Sequence, residues 1–178
     1  MADHHYETER FSAFLARAEL AESFGEDRLN THPAFMSPPY LLDRSRIASN
    51  KPLVVFFEHR NCHACDVLHA GPLSNPEISA QLKDMDVVQV DMHSNALILT
   101  PGGHKLTARE WVNELGLFYA PTIMFFDERG KEIIRINSVV WVYRLNNVLR
   151  YISSGGYKRY ATYQLWRQYL MRKKMGIE

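Results

Sequence analysis

The 178-residue sequence has little cysteine, no long apolar run and almost no excess of charge. Two cysteines cannot build a disulfide scaffold, so the chain must fold on a hydrophobic core. No stretch approaches ~18 consecutive apolar residues, which excludes a membrane-spanning helix. Lys+Arg 21 against Asp+Glu 20 leaves +1, too little for a whole-protein electrostatic nucleic-acid binder. Gly and Pro are sparse, at 9 and 8, which excludes collagen-like and low-complexity chains. What is present is ordinary for one globular domain: 46% hydrophobic and 23% charged residues. The start, Met1-Ala-Asp-His-His, has neither a basic n-region nor an apolar h-region, so the sequence predicts no secretory signal there.

The charge is unevenly spread. Residues 1–50 carry five basic and eight acidic side chains, whereas residues 156–178 carry six basic and one acidic. Phe11, Phe14, Leu15, Ala18, Ala21 and Phe24 follow the helical period and predict a helix over 7–24. Pro33, Pro38 and Pro39 make 25–39 a loop, and a short helix is expected over 40–48.

Leu53–Phe57 is a continuous apolar, β-rich run and predicts a strand buried on both faces. A helix over 62–70 follows, stopped at Gly71-Pro72. A second begins near Ser74-Asn75-Pro76-Glu77 and ends near Lys83. Asp86–Asp91 predicts a strand, and residues 92–106 a β-hairpin inserted at the sheet edge. Thr107-Ala-Arg-Glu110 is a capping box for a helix reaching Leu115. Thr122–Phe126 and Lys131–Ile136 predict an antiparallel pair across the turn Asp127–Gly130. A helix over 139–152, a linker over 153–156 and an amphipathic helix over 160–174 complete the chain. Trp111 and Trp141 are expected in the core. Tyr160, Tyr163, Trp166, Tyr169 and Leu170 are expected to dock the last helix onto its own domain. The order is β-α-β-α-β-β-α: an α/β mixed sheet with helices on both faces.

The chemistry lies at Glu58-His59-Arg60-Asn61-Cys62-His63-Ala64-Cys65, where a buried strand gives way to a helix. A cysteine at a helix N-terminus faces unpaired N–H groups and the positive end of the dipole, which stabilise a thiolate. Cys65, one turn deeper, is within disulfide reach. Cys62 is therefore expected as the exposed attacking sulfur and Cys65 as the shielded resolving one. The chemistry predicted is attack on a disulfide, a mixed disulfide at Cys62, and release by Cys65. His63, with His59 and Arg60 nearby, is expected to favour the thiolate and so make the disulfide more oxidising.

Other readings compete. The thiols can be idle on a binding or assembly module. Cys62 and Cys65 with His59, His63 or His69 can hold copper or zinc, although structural zinc usually takes a second cysteine pair, which this chain lacks. Haem attachment fails because Asp66 follows Cys65. A peroxide-reducing site wants Ser or Thr three residues before its cysteine, where this chain has His59.

These residues resemble the thioredoxin superfamily: Cys62-His63-Ala64-Cys65 after one strand, and Ala120-Pro121-Thr122 before another. The resemblance implies a thioredoxin-like fold over 40–156, a helical extension over 1–39 and a C-terminal helix over 157–178. It implies a cis Pro121 facing the cysteine loop, with Ala120 offering backbone groups to a bound peptide. More narrowly, the chain is similar to the SoxW-like bacterial proteins of sulfur oxidation. The strand end at Asp91, Gly102-Gly103 before Thr107, Phe125–Glu132, Tyr151-Ile152 and Gly156-Tyr157 carry that likeness. It implies a periplasmic protein, cytoplasmic being the alternative, that reduces protein partners with electrons from a membrane reductase. No soluble cofactor is implied. Three departures stand out: Asn61 where thioredoxins carry Trp, Phe56 where they carry a buried Asp, and His-Ala between the cysteines. Glu58 is the candidate stand-in for that missing acid, acting through a water.

Overall fold

The computed structural model describes residues 28–138 and 140–177. The helix expected over 7–24 lies outside the described residues.

A four-stranded sheet, ordered β2-β1-β5-β6, forms the centre. Strand β1 (Leu53–Glu58) runs parallel to β2 (Asp86–Asp91) and antiparallel to β5 (Thr122–Phe126), which in turn pairs antiparallel with β6 (Glu132–Ile136). β1 is central, and every one of its residues is buried. Its side chains alternate between two cores. Val54 and Phe56 enter one, with Leu68, Ile78, Phe125, Leu149 and Trp166. Leu53, Val55 and Phe57 enter the other, with Val88, Ile98, Trp111 and Met124. Each large side chain so buried contributes roughly 1.5–3 kcal/mol.

The helices follow the local signals. Helix α1 (His63–Ala70) starts at Cys62, and a 3-10 turn (Pro72–Ser74) follows Gly71. Asn75 caps α2 (Pro76–Leu82) by accepting the N–H of Glu77. The predicted capping box of Thr107 and Glu110 opens α3 (Ala108–Glu114). Its hydrogen bonds from Thr107 hold the Glu110 carboxyl below its ordinary value.

Four expectations are corrected. Residues 40–48 form no helix. The N–H of Leu42 donates to Leu99 O and the N–H of Leu99 donates to Tyr40 O, so this stretch pairs as extended chain. Arg44 pins it, buried, by donating to Lys51 O and the Asp86 carboxylate. The hairpin β3 (Leu97–Leu99) and β4 (Lys105–Thr107) is a separate two-stranded sheet, not an edge of the main one. Ile98 inserts into the second core, and the carbonyls of Ser94 and Ala96 just before β3 accept the N–H groups of Arg109 and Ala108 at the start of α3.

Trp141 is 74% exposed, because it is the N-cap before α4 (Val142–Ser153) rather than part of that helix's buried stripe. The expected linker is a tight joint. Gly155, at φ +68°, turns Ser154 directly into the short α5 (Gly156–Arg159). Helix α6 (Tyr163–Lys174) then docks through buried Trp166, which packs on Tyr151 with ring centroids 5.4 Å apart. Tyr169 stacks on Tyr160 but stays partly exposed, and Leu170, expected to dock, is exposed along with Leu165, Met171 and Met175.

Candidate active site

Cys62 and Cys65 are joined by a disulfide at the N-terminus of α1. Cys62 is the N-cap, and its Sγ accepts the N–H of Cys65 at 3.1 Å. The helix thus directs a donor at the sulfur on which a thiolate would form. Cys62 is 7% exposed and Cys65 0%. The asymmetry runs as expected, but Cys62 is less open than an exposed sulfur should be. Its capping geometry folds it back over the first helical turn.

The sheet brings the second motif alongside. Phe57 in β1 pairs with Thr122 in β5, so the residues just beyond the end of β1 and just before the start of β5 share one sheet edge. The Ala120–Pro121 bond is cis and Pro121 is buried. Phe118 and Tyr119, immediately before Ala120, are 86% and 67% exposed. Sequence reasoning passed over them, although two adjacent aromatics outside any periodic element were a signal.

The two histidines expected to tune Cys62 sit in different surroundings. His63 is the first residue of α1 and exposed. His59 is half-buried on the β2 side. Its Nδ1 bonds Arg60 O at 2.7 Å and its ring stacks on His93, centroids 5.1 Å apart. Between them Asn61 takes a left-handed φ of 57°, a turn that Asn tolerates better than Trp.

Glu58 is fully buried at the end of β1. Its two carboxylate oxygens each lie 3.0 Å from His69 Nε2, and Gln89 Nε2 donates to one at 3.1 Å. His69 stands on α1 one turn beyond Cys65, with the Phe35 ring edge against it. Residues 28–39, the irregular part of the prefix, close over this group: Gln89 also donates to Asn30 O, and Met36 N–H to Val87 O. Glu58 and His69 were each noticed in the sequence. Their pairing was not, since a β-strand end and an α-helix position meet only in the fold.

The metal grouping does not assemble. The sulfurs bond each other, His69 is held by Glu58, and among the described residues no three His, Cys, Asp or Glu side chains form a cation site. Among the described residues no helix is long and apolar enough to cross a membrane.

Comparison with known proteins agrees with the fold and the disulfide. A stretch of 106 residues is 27% identical to the thiol:disulfide interchange protein DsbD of Photorhabdus laumondii, covering 58% of this chain and 17% of that protein. A stretch of 75 residues is 33% identical to DsbD of Haemophilus ducreyi, covering 42% of this chain and 12% of that one. The chain therefore spans less than a fifth of these relatives' length. A thioredoxin-fold protein from Helicobacter pylori superposes with a TM-score of 0.62 at 14% identity, over 84% of this chain and 94% of its own. The model of a thioredoxin-like domain matches residues 45–153, well over half of the chain. The chain therefore belongs to the thioredoxin-like domain family, and its Cys-x-x-Cys is disulfide-bonded.

Proposed function

We propose that the protein is a dedicated reductase of partner proteins, with Cys62 as nucleophile and Cys65 as resolving thiol. The observation that carries this reading is the Cys62–Cys65 disulfide capping α1, beside the strand that begins after Pro121. In the reduced protein the Cys62 thiolate attacks a partner disulfide and displaces one partner thiolate. Cys65 then attacks Cys62 Sγ, closes the intramolecular disulfide and releases the second thiolate. Two electrons pass to the partner, and the cysteines carry them without a soluble cofactor. Ala120 and Pro121 line the groove for the partner segment, and His63 and His59 raise the thiolate fraction at Cys62.

The working unit on this reading is residues 40–156, with 92–106 as an insertion, 1–39 as an N-terminal extension and 157–178 as a C-terminal helix. The likeness to DsbD and the SoxW-like features support a place in an envelope or sulfur-oxidation redox route, in the periplasm. The electron donor there is a membrane reductase.

The test is the equilibrium of the Cys62–Cys65 couple against a dithiol buffer, with Cys62→Ser as control. A potential near ~−270 mV supports a reductant, whereas one near ~−120 mV would make the protein a disulfide donor. If no disulfide forms at any poise, exchange is not its function.

A further inference from the structure

The disulfide lies between two unlike flanks. Towards β5 the exposed residues are Phe118 and Tyr119. Towards β2, Arg60, Asp91, His93, Ser94 and Asn95 line a polar cleft of about 380 Å³. The main sheet sets that cleft beside the cysteine loop. Glu58 pairs with Asp91, and Met92 N–H donates to Glu58 O at 2.8 Å, so the chain leaving β2 runs next to the chain leaving β1.

The wall of the cleft is held in several places. Asp91 Oδ1 accepts the N–H of His93 at 3.0 Å, and Arg109 Nη2 donates to His93 O at 2.8 Å. The His59 ring stacks on the His93 ring at an interplanar angle of 27°. Arg60 meets Asp91 through Nε at 3.4 Å, a one-point contact, and keeps 43% of its side chain exposed. The cationic groups and imidazoles here are Arg60, Arg109, His59 and His93. Asp91 is the one carboxylate lining the cleft, and Glu58 behind it is committed to His69. A planar guanidinium beside a concave polar surface suits a carboxylate.

We propose that this cleft is an anion subsite of the exchange reaction, seating a carboxylate carried next to the substrate's disulfide while the sulfurs meet Cys62. The inference rests on the exchange reading and adds a substrate preference to it. The reaction is balanced as protein dithiol plus RSSR giving protein disulfide plus two RSH. Cys62 displaces one RS⁻, Cys65 displaces the other, and the two cysteine protons end on the leaving thiolates.

The test is the second-order rate constant for oxidation of the reduced protein by glutathione disulfide and by bis(2-hydroxyethyl) disulfide. Each constant is divided by that of dithiothreitol with the same compound, which removes intrinsic reactivity. The wild-type ratio should favour glutathione disulfide and flatten at high salt. Arg60→Ala should lower that ratio by about three- to fivefold, the scale of an exposed charge contact, and Arg60→Glu should lower it further. Asp91→Asn, which frees Arg60, should raise it. A Cys62 altered in reactivity by these variants would shift both rates together and leave the ratio alone. A second arm compares disulfide peptides bearing Asp or Asn beside the cysteine. A preference for Asp places the carboxylate on a protein substrate, and a preference for glutathione disulfide alone places it on a small one. A ratio unmoved by Arg60→Ala and by salt, with no preference for Asp, overturns the subsite. If neither compound oxidises a protein shown to hold two free thiols, exchange itself fails and the subsite falls with it.

Discussion

Removing His69 should cost far more stability than its packing alone suggests, because it strands a buried carboxylate. Glu58 has no exposed surface, and its carboxylate has two side-chain partners, His69 on α1 and Gln89 on β2. A hydrogen bond to a charged group is worth ~1.5–3 kcal/mol, and breaking a buried pair from one side typically costs ~3–5 kcal/mol. His69→Ala should therefore lower the unfolding free energy by about 3–4 kcal/mol, a fall of roughly 6–16 °C in Tm for a chain of this size. Some of that is packing, since the Phe35 ring edge also loses its contact. A double-mutant cycle separates the two. Glu58→Gln keeps the shape and removes the charge, so His69→Ala made on that background loses the packing and a neutral hydrogen bond but not the charge interaction. The coupling between the sites should be about 1–3 kcal/mol. The assay is urea unfolding of the oxidised protein, followed by tryptophan fluorescence, with equal m-values required across the four proteins. If the two single effects add to within ~0.5 kcal/mol, the pair contributes no specific energy and the reasoning is wrong.

Three further outcomes are expected from other parts of the molecule. Cys65→Ser should accumulate a mixed disulfide between Cys62 and a partner or small thiol, visible as an intact-mass increase reversed by dithiothreitol; its absence after exposure to disulfides would remove Cys65 from the resolving role. Gly156→Ala should loosen the C-terminal helix, because the added Cβ would lie 2.7 Å from Tyr151 Cδ2 and 2.9 Å from Trp166 Cδ1, both ring atoms; a loss of about 1–3 kcal/mol and faster proteolysis after Tyr160 are expected. Stability should also fall at alkaline pH through Tyr157, whose hydroxyl is pushed up to about 12 by burial and by its hydrogen bond to Glu128. A folded-state value above the unfolded one stabilises fully below ~10 and is lost as pH rises toward 12, so Tyr157→Phe should show a shallower decline over that window.

The main sheet was legible because its signals are local. Leu53–Phe57 is apolar without interruption, which only a strand buried on both faces uses, and its side chains do divide between two cores. Thr107 and Glu110 satisfy each other's backbone groups within one turn, so their capping box needs no tertiary help. Residues 40–48 misled for the opposite reason. Their mildly helical pattern is outweighed by backbone bonds to Leu99 and Pro101, about sixty residues away, and by the ion pair of buried Arg44 with half-buried Asp86. Trp141 misled because a helix period extended by three residues moves a residue from the stripe to the cap.

The site divides the same way. The disulfide is encoded locally: four consecutive residues set Cys62 as a cap and Cys65 one turn on, and the sequence suffices to read them. Their surroundings are assembled across the sheet. His59 meets His93 because β1 and β2 are parallel neighbours in register, Glu58 opposite Asp91. Phe118 and Tyr119 lie on the other side because β5 is β1's antiparallel neighbour. A Cys-x-x-Cys helix start is therefore a constant that many sheets can present, whereas the polar cleft and the aromatic pair belong to the segments after β2 and before β5. Exchanging residues 92–95 or 118–119 should change which disulfides are used while leaving the Cys62–Cys65 couple in place. Exchanging His63 and Ala64 should do the reverse, moving the potential with less effect on substrate choice. Potentials and substrate ratios measured on both sets of variants would show whether the two properties separate; if every exchange moved both together, the flanks would be part of the redox chemistry rather than its selectivity.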